Sequence, residues 1–311
     1  MAVKFTILGS GSGGNCAYVE TAEARILIDA GFSVRQIRQR LAGLGKAPEN
    51  LTGILVTHEH SDHITGLLGL ADKFHIPVYC NRGTQDGTIW AFKAKLDSKS
   101  KPALEGLSGT EHLRSKIDWR LFNTGASFEI GDVGIETFSI PHDAQDPVGY
   151  LLRTSHGNIG FLTDLGHATK LVLERVRPSH ALVLESNHDI KLLQDCPRRP
   201  WALKQRILGR HGHLSNEAAA DAAQEIMSSE LRHLYLGHLS RECNKPELAR
   251  QVMNARLQKL GATHVQVQVA SQDVPCPTLE MALPPRTVPA SLSLQTGQPV
   301  LDLFSNQRVS A

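Results

Sequence analysis

The chain has 311 residues, enough for one large domain of about 200–250 residues or two small ones with a substantial buried core. Apolar residues make up 41% and charged residues 21%, as in an ordinary globular protein, and a net charge of +2 excludes a molecule-wide basic field, so any polyanion site has to be a local patch. No window approaches the roughly 20 apolar residues of a membrane span, and the N-terminal apolar stretch is too short for a signal peptide.

Val3 to Leu8, Ala17 to Glu20 and Arg25 to Asp29 read as three short strands, an all-β opening unlike a dinucleotide-binding βαβ unit. The run Gly9-Ser10-Gly11-Ser12-Gly13-Gly14-Asn15 between the first two lacks a Gly-Lys-Ser/Thr ending and leads into a strand, so it reads as a turn and not as a phosphate loop. Behind Ser33, the apolar spacing of Val34, Ile37, Leu41 and Leu44 predicts a helix over Ser33 to Leu44.

Next comes Thr57-His58-Glu59-His60-Ser61-Asp62-His63, directly after the apolar strand Ile54-Leu55-Val56. Three imidazoles and an ionised carboxylate within six residues suit a shared cation, since neutral His nitrogens and Asp are good ligands for Zn, Mn or Fe. A zinc finger uses cysteines, and a helix-borne H-E-x-x-H spaces its histidines differently. A helix is expected near Ile64 to Phe74, then a strand from Ile76 to Cys80. Between Lys93 and Lys116 the pattern gives way to charged, Ser- and Gly-containing sequence, read as a surface insertion.

Strands return at Phe128 to Ile130, Gly134 to Ile140, Val148 to Arg153 and Asn158 to Thr163. Helices then dominate, at Thr169 to Arg175, Trp201 to Gly209, Ser215 to Met227 and Lys245 to Lys259, alternating with strands Ala181 to Glu185, His233 to Leu236 and His264 to Val269. The expected fold class is α/β: an αββα sandwich of two mixed sheets with helices outside. Residues 1–271 are expected to form the catalytic domain. Residues 272–311, with six prolines and no apolar periodicity, are expected to form a flexible tail. Cys16, Cys80, Cys196, Cys243 and Cys276 contain no C-x-x-C pair and read as reduced thiols, which suggests a cytoplasmic protein.

The heptad resembles the H-x-H-x-D-H signature of the metallo-β-lactamase superfamily, and further elements come in family order: Asp29 ending an early strand, then His142, Asp164 and His238 each after a strand. The resemblance implies two divalent metal ions, Zn or Mn with Fe also suited, the first held by His58, His60 and His142, the second by Asp62, His63 and His238, with Asp164 bridging. It implies that Asp29 orients ligands without touching metal. The glycine run, read from its residues as a turn, is expected to pack close under the site with Ser12 and Asn15 as candidate hydrogen-bond donors. That run, with Leu184 to Asp189, Gly212 to Asn216 and His238 to Ser240, is similar to the YycJ/WalJ-like branch, related to ribonuclease Z and cyclic phosphodiesterases, whose members are 5′-to-3′ exonucleases. The implied reaction is phosphodiester hydrolysis through a hydroxide bridging the metals, on a nucleic acid, DNA favoured.

Asp62, His213 and His188 are the catalytic candidates, the two histidines because something must protonate the leaving oxygen; each is equally readable as a loop cap. From Lys191 to Arg210 six Lys/Arg face one Asp around Trp201, which suits phosphate contacts at Arg198 and Arg199 or a solvated helix face. A thioesterase or lactonase of the same fold, and a non-hydrolytic di-iron redox module, stand as alternatives. No membrane partner is expected, and the oligomeric state is open.

Overall fold

Alternation along the strands sets the architecture. In β1 (Val3–Gly9), Val3, Phe5 and Ile7 enter one apolar layer; in β3 (Arg25–Ile28), Ile26 and Ile28 do the same while Leu27 enters another. A strand with apolar residues on both faces must be covered on both, and the chain meets that demand with two sheets stacked face to face and helices outside. The computed structural model describes residues 2–97 and 114–284.

The first seven-stranded sheet runs in the order β14-β1-β2-β3-β4-β5-β6, with β2 at Cys16–Glu20, β4 at Gly53–Leu55, β5 at Val78–Cys80, β6 at Trp119–Leu121 and β14 at Leu279–Met281. The second has the order β13-β12-β11-β10-β9-β8-β7, built from β7 (Ser127–Ile130), β8 (Val133–Ser139), β9 (Val148–Thr154), β10 (Gly157–Leu162), β11 (Ala181–Glu185), β12 (His233–Gly237) and β13 (Gln266–Val269). Between the sheets lie Phe5, Ile28, Tyr150, Phe161 and Val183. Outside the first sheet, α1 (Val34–Gly43) and α3 (Leu67–Phe74) cover Leu27 and Ile54. Outside the second, α5 (Lys170–Val176), α8 (Asn216–Ile226) and α9 (Pro246–Lys259) cover Leu151, Leu182 and Leu236. This is the αββα sandwich expected from the sequence.

Each sheet is antiparallel on one side and parallel on the other. Strands β3, β4, β5 and β6 run parallel in the first, and β10, β11, β12 and β13 in the second. Parallel strands end at one edge, which gathers the residues just beyond them.

The helix starts obey local chemistry. Ser33 and Gln36 form a capping box at α1, and the Thr169 and Ser215 side chains cap α5 and α8. Four features depart from the sequence reading. The helix expected over Ile64 to Phe74 is two: α2 (Ser61–Ile64) stops before Gly66, where a side chain would collide with the Phe32 carbonyl, and α3 starts after it. Helix α4 (Arg82–Asp97) was not legible because it buries Thr84, Gln85 and Thr88 with Ile89, a polar face that hides the helical period. Short β6 and α6 (Ile190–Asp195) carry too few residues for periodicity to register.

The chain also carries ordered structure past the boundary read at Gln272. Strand β14 pairs antiparallel with β1, Met281 is buried between the sheets, and the Cys276 amide donates to Ile7. An edge strand of three residues amid prolines gives no alternation to read. The rest of that segment, 285–311, and most of the Lys93 to Lys116 stretch, 98–113, lie outside the described residues.

Candidate metal centre

The ends of six strands meet at one edge of the sandwich. Asp29 comes after β3, the His58 to His63 turn after β4, His142 after β8, Asp164 after β10, and His238 after β12, while Glu185 ends β11. Asp29, Asp164 and His238 all adopt left-handed backbone, with φ of 61°, 57° and 56°. For non-glycine residues this conformation costs roughly 1–3 kcal/mol each, and here it turns each side chain sharply inward from the end of its strand.

Three sets of ligand atoms lie within 4.8 Å of one another: His58, His60 and His142; Asp62, His63, Asp164 and His238; and Asp164, Glu185, His213 and His238. The first two sets bring together all seven side chains read from the sequence as metal ligands.

Hydrogen bonds at the back of each ring fix which nitrogen faces inward. Asp29, fully buried, takes the Thr57 amide at 2.8 Å on Oδ1 and stands 2.7 Å from His63 Nδ1 through Oδ2. His142 Nδ1 is 3.2 Å from the Gly212 carbonyl, which only a protonated Nδ1 satisfies. His238 Nδ1 is 2.8 Å from Glu185 Oε1. With the proton on that nitrogen, His238 Nε2 presents a lone pair to Asp62 Oδ2 at 3.2 Å and Asp164 Oδ1 at 3.4 Å. His63 Nε2 stands in the same way 3.1 Å from Asp164 Oδ2. Acceptors facing acceptors need positive charge between them, and His58 Nε2 is buried with no hydrogen-bond partner. The donor set fits divalent cations.

Without a cation in the cluster, the same convergence of carboxylates is met by protons on the rings, which a bound cation would displace. Burial opposes charge on His63 and His238, but Asp164 and neighbouring carboxylates outweigh it and hold both rings well above the usual imidazole range. Burial likewise opposes the charged forms of Asp62 and Asp164, yet the surrounding histidines pull both carboxyls well down. His58 and His142 are pushed down, chiefly by burial, which favours the neutral ring that a cation requires.

The glycine run lies under this centre. Asn15 is buried, accepts from Ser10 Oγ and the Gly11 amide, and donates to Asp62 Oδ2 at 3.3 Å. Ser10, not singled out in the sequence, also accepts from the His238 amide at 2.8 Å. Ser12 faces the pocket in front of the centre.

That pocket holds about 200 Å³. His60, Asp62, Asp164, His213 and His238 line one side, and Arg199, Leu203, Arg206 and Ile207, in and before α7 (Trp201–Leu208), line the other. His213 Nδ1 lies 2.8 Å from Glu185 Oε1, and its ring is raised above the usual range because Glu185 overcomes the burial penalty. Glu185, which the sequence reading held only as part of the run Leu184 to Asp189 and gave no role, belongs to this cluster. It is fully buried, takes the Leu165 and Leu214 amides, and faces both His213 and His238. Its signal was a carboxylate ending an otherwise apolar strand, Ala181–Glu185.

The other candidates are placed differently. His188 is buried with neither ring nitrogen hydrogen-bonded and does not line the pocket; its carbonyl takes the Asn216 amide. Arg199 lines the pocket, but Arg198 is 71% exposed and turned to Glu242. Trp201 is exposed and does not line the pocket, because it sits on α7 two residues before Leu203, on nearly the opposite face.

The family described as Beta-lactamase superfamily domain matches residues 24–239. The exodeoxyribonuclease YycJ of Bacillus anthracis is 36% identical over 261 residues, covering 84% of this chain and 91% of that protein. The exodeoxyribonuclease WalJ of Streptococcus pneumoniae serotype 2 is 37% identical over 251 residues, covering 80% of this chain and 86% of its own. Among solved structures, the metallo-β-lactamase fold protein YhfI from Bacillus subtilis superposes with a TM-score of 0.61 at 14% identity, covering 88% of this chain and 99% of its own.

Proposed function

Because the chain belongs to the β-lactamase superfamily domain family, together with the exodeoxyribonucleases YycJ and WalJ, we propose that it removes nucleotides from DNA ends, 5′ to 3′, using two divalent cations. At the coarser level it is a metal-dependent hydrolase of the nuclease and phosphodiesterase class. The observation that carries the reading is the buried Glu185 carboxylate reaching His213 and His238 together, which sets a proton donor beside the ligand cluster and facing the pocket.

His58, His60 and His142 would hold one cation and Asp62, His63 and His238 the other, and Asp164, whose oxygens lie 3.1 Å from His63 Nε2 and 3.8 Å from His142 Nε2, is within reach of both sets. When bound, Zn or Mn supplies the acidity that makes water a nucleophile near neutral pH and the positive charge that offsets the build-up on phosphoryl oxygens. The Asp62 carboxylate, which lines the pocket, takes the proton of the attacking water. As the new P–O bond forms and the old one breaks, His213 passes the proton of Nε2 to the leaving oxygen, while Glu185 holds Nδ1. Asp29 keeps His63 in register, and Asn15 steadies Asp62.

Among the described residues no helix is long and apolar enough to cross a membrane, and all five cysteines are free and buried, which suits a reducing cytoplasm. The test is incubation of Mn- and Zn-loaded protein with 5′- and 3′-labelled single- and double-stranded DNA and RNA, with S-lactoylglutathione in parallel. Early release of 5′-labelled mononucleotide from DNA is expected, and so is its loss in His60→Ala. Turnover of the thioester without cleavage of nucleic acid overturns the proposal in favour of the thioesterase alternative.

A further inference from the structure

Two of the five cysteines meet in the fold. Cys196 caps the C-terminal end of α6, and Cys243 lies after β12 in the turn that precedes α9. Though far apart in sequence, both belong to one small apolar cluster with Leu193 and Ile207, separate from the layers that cover the sheets. Their thiols hydrogen-bond to each other. Both side chains are buried, and Cys243 lines the pocket, which gives a small solute a path to the pair. Neither thiol takes part in the hydrolysis.

Their surroundings divide the two chemically. Burial opposes a thiolate at Cys196, but the Arg198 amide, the Cys243 thiol and the Arg199 amide donate to its sulfur and hold it below the usual thiol range. Burial and the neighbouring Cys196 push Cys243 up, and burial does the same to Cys16, Cys80 and Cys276. A thiolate-prone sulfur touching a second thiol is the arrangement of an attacking cysteine and its resolving partner.

From this contact we propose that Cys196 and Cys243 are a modification site for hydrogen peroxide, forming a reversible disulfide that slows hydrolysis. The Cys196 sulfur attacks one peroxide oxygen, the O–O bond breaks, and the other oxygen leaves as water with the thiol proton. The Cys243 sulfur then attacks the sulfenic acid left on Cys196. The S–S bond forms, the S–O bond breaks, and the sulfenic oxygen leaves as a second water with the Cys243 proton. Two electrons have passed from the sulfurs to the peroxide, and exchange with an external thiol restores the pair. The effect on turnover alone rests on the phosphodiesterase reading. Cys243 is pinned, because its amide donates to Ser240 Oγ at 3.2 Å and its carbonyl takes the Asp189 amide at 2.9 Å. Cys196 begins the link 196–200 to α7. Drawing the sulfurs to the S–S distance of about 2.0 Å therefore moves that link, and with it the α7 wall of the pocket.

The experiment treats the reduced, Zn-loaded full chain with hydrogen peroxide, zinc being redox-inert, and follows thiol count, peptide mass and DNA degradation together. Titratable thiols are expected to fall from five to three, with the Cys196 and Cys243 peptides joined in a non-reducing digest. Release of labelled nucleotide should drop severalfold and return on addition of a phosphine reductant. Cys196→Ser should keep the rate of the reduced wild type before and after peroxide. In Cys243→Ser, dimedone should trap a sulfenic acid at Cys196. Five remaining thiols, a different cysteine pair, or dimedone labelling that favours Cys243 overturns the assignment. A cross-link that leaves turnover unchanged, or a slowing that persists in Cys196→Ser, overturns the control of hydrolysis. A chain that degrades no DNA removes the phosphodiesterase reading, while mass and thiol count still decide the bond.

Discussion

Glu185 links two histidines of the centre, since one buried oxygen, Oε1, lies 2.8 Å from both His213 Nδ1 and His238 Nδ1. Replacing it with Gln keeps the shape and removes the charge. Metal affinity should fall about 10–100-fold, as it does when the partner of a ligand histidine is lost, and titration with Mn or Zn with elemental analysis measures this. His213→Ala should instead lower kcat by about 10²-fold or more with metal content preserved. If Glu185 acts on turnover through His213, the double variant should lose little more in kcat than His213→Ala at saturating metal; losses that multiply would show the two act separately. Gly31 makes a different point. A Cβ there would lie 1.7 Å from the Asp62 carbonyl oxygen, backbone that cannot swing aside. Gly31→Ala should therefore cost at least about 1–3 kcal/mol by denaturant titration and lower metal occupancy, and an unchanged midpoint would refute that account of Gly31.

At the scale of elements, β14 shows how a weak local signal can matter. It adds the outer strand to β1 and places Met281 between the sheets, and the Thr278 and Thr6 hydroxyls meet at 2.8 Å. A chain ending at Gln272 should lose about 1.5–3 kcal/mol from Met281 alone and expose the β1 edge to pairing with other chains. Denaturant titration and light scattering against the full chain check this; equal stability and no aggregation would mean β14 contributes nothing. Helix α7 is the other decisive element. Its sequence showed a basic cluster, but helical geometry divides that cluster: Arg206 and Leu203 line the pocket, Trp201 faces outward, and the Lys204 ammonium donates to the Gln194 carbonyl. Counting charges along the chain could not make that division.

For the molecule as a whole, the centre joins the two sheets. The His58 to His63 turn belongs to the first sheet, whereas His142, Asp164 and His238 belong to the second, so a cation held between them would tie together halves otherwise joined by the apolar layer. Metal bound only by the folded chain should raise Tm, by about 2.7 kcal/mol of stability at a free concentration one hundred times Kd. Chelation should lower Tm and speed amide exchange at the ends of β3, β10 and β12. Asp164→Asn, which keeps a residue tolerant of left-handed backbone, should abolish most of the metal-dependent rise. A metal-free protein melting with the loaded one would refute the coupling.

The sequence by itself determined the sandwich and the roster of side chains that converge at its edge, because both are written in local patterns: apolar alternation fixes strands with two buried faces, and the heptad and the later single histidines and aspartates stand just past the ends of such strands. The tertiary structure decided the rest. Which imidazole nitrogen faces inward depends on Asp29, Gly212 and Glu185, residues remote in sequence from the rings they orient. Whether His188, His213, Arg199 or Arg206 reaches the pocket depends on how α7 and the end of β11 pack against the centre. A side chain's identity is a local property of the chain, but its partners are set by long-range packing, and it is the partners that give His213 its orientation toward the pocket.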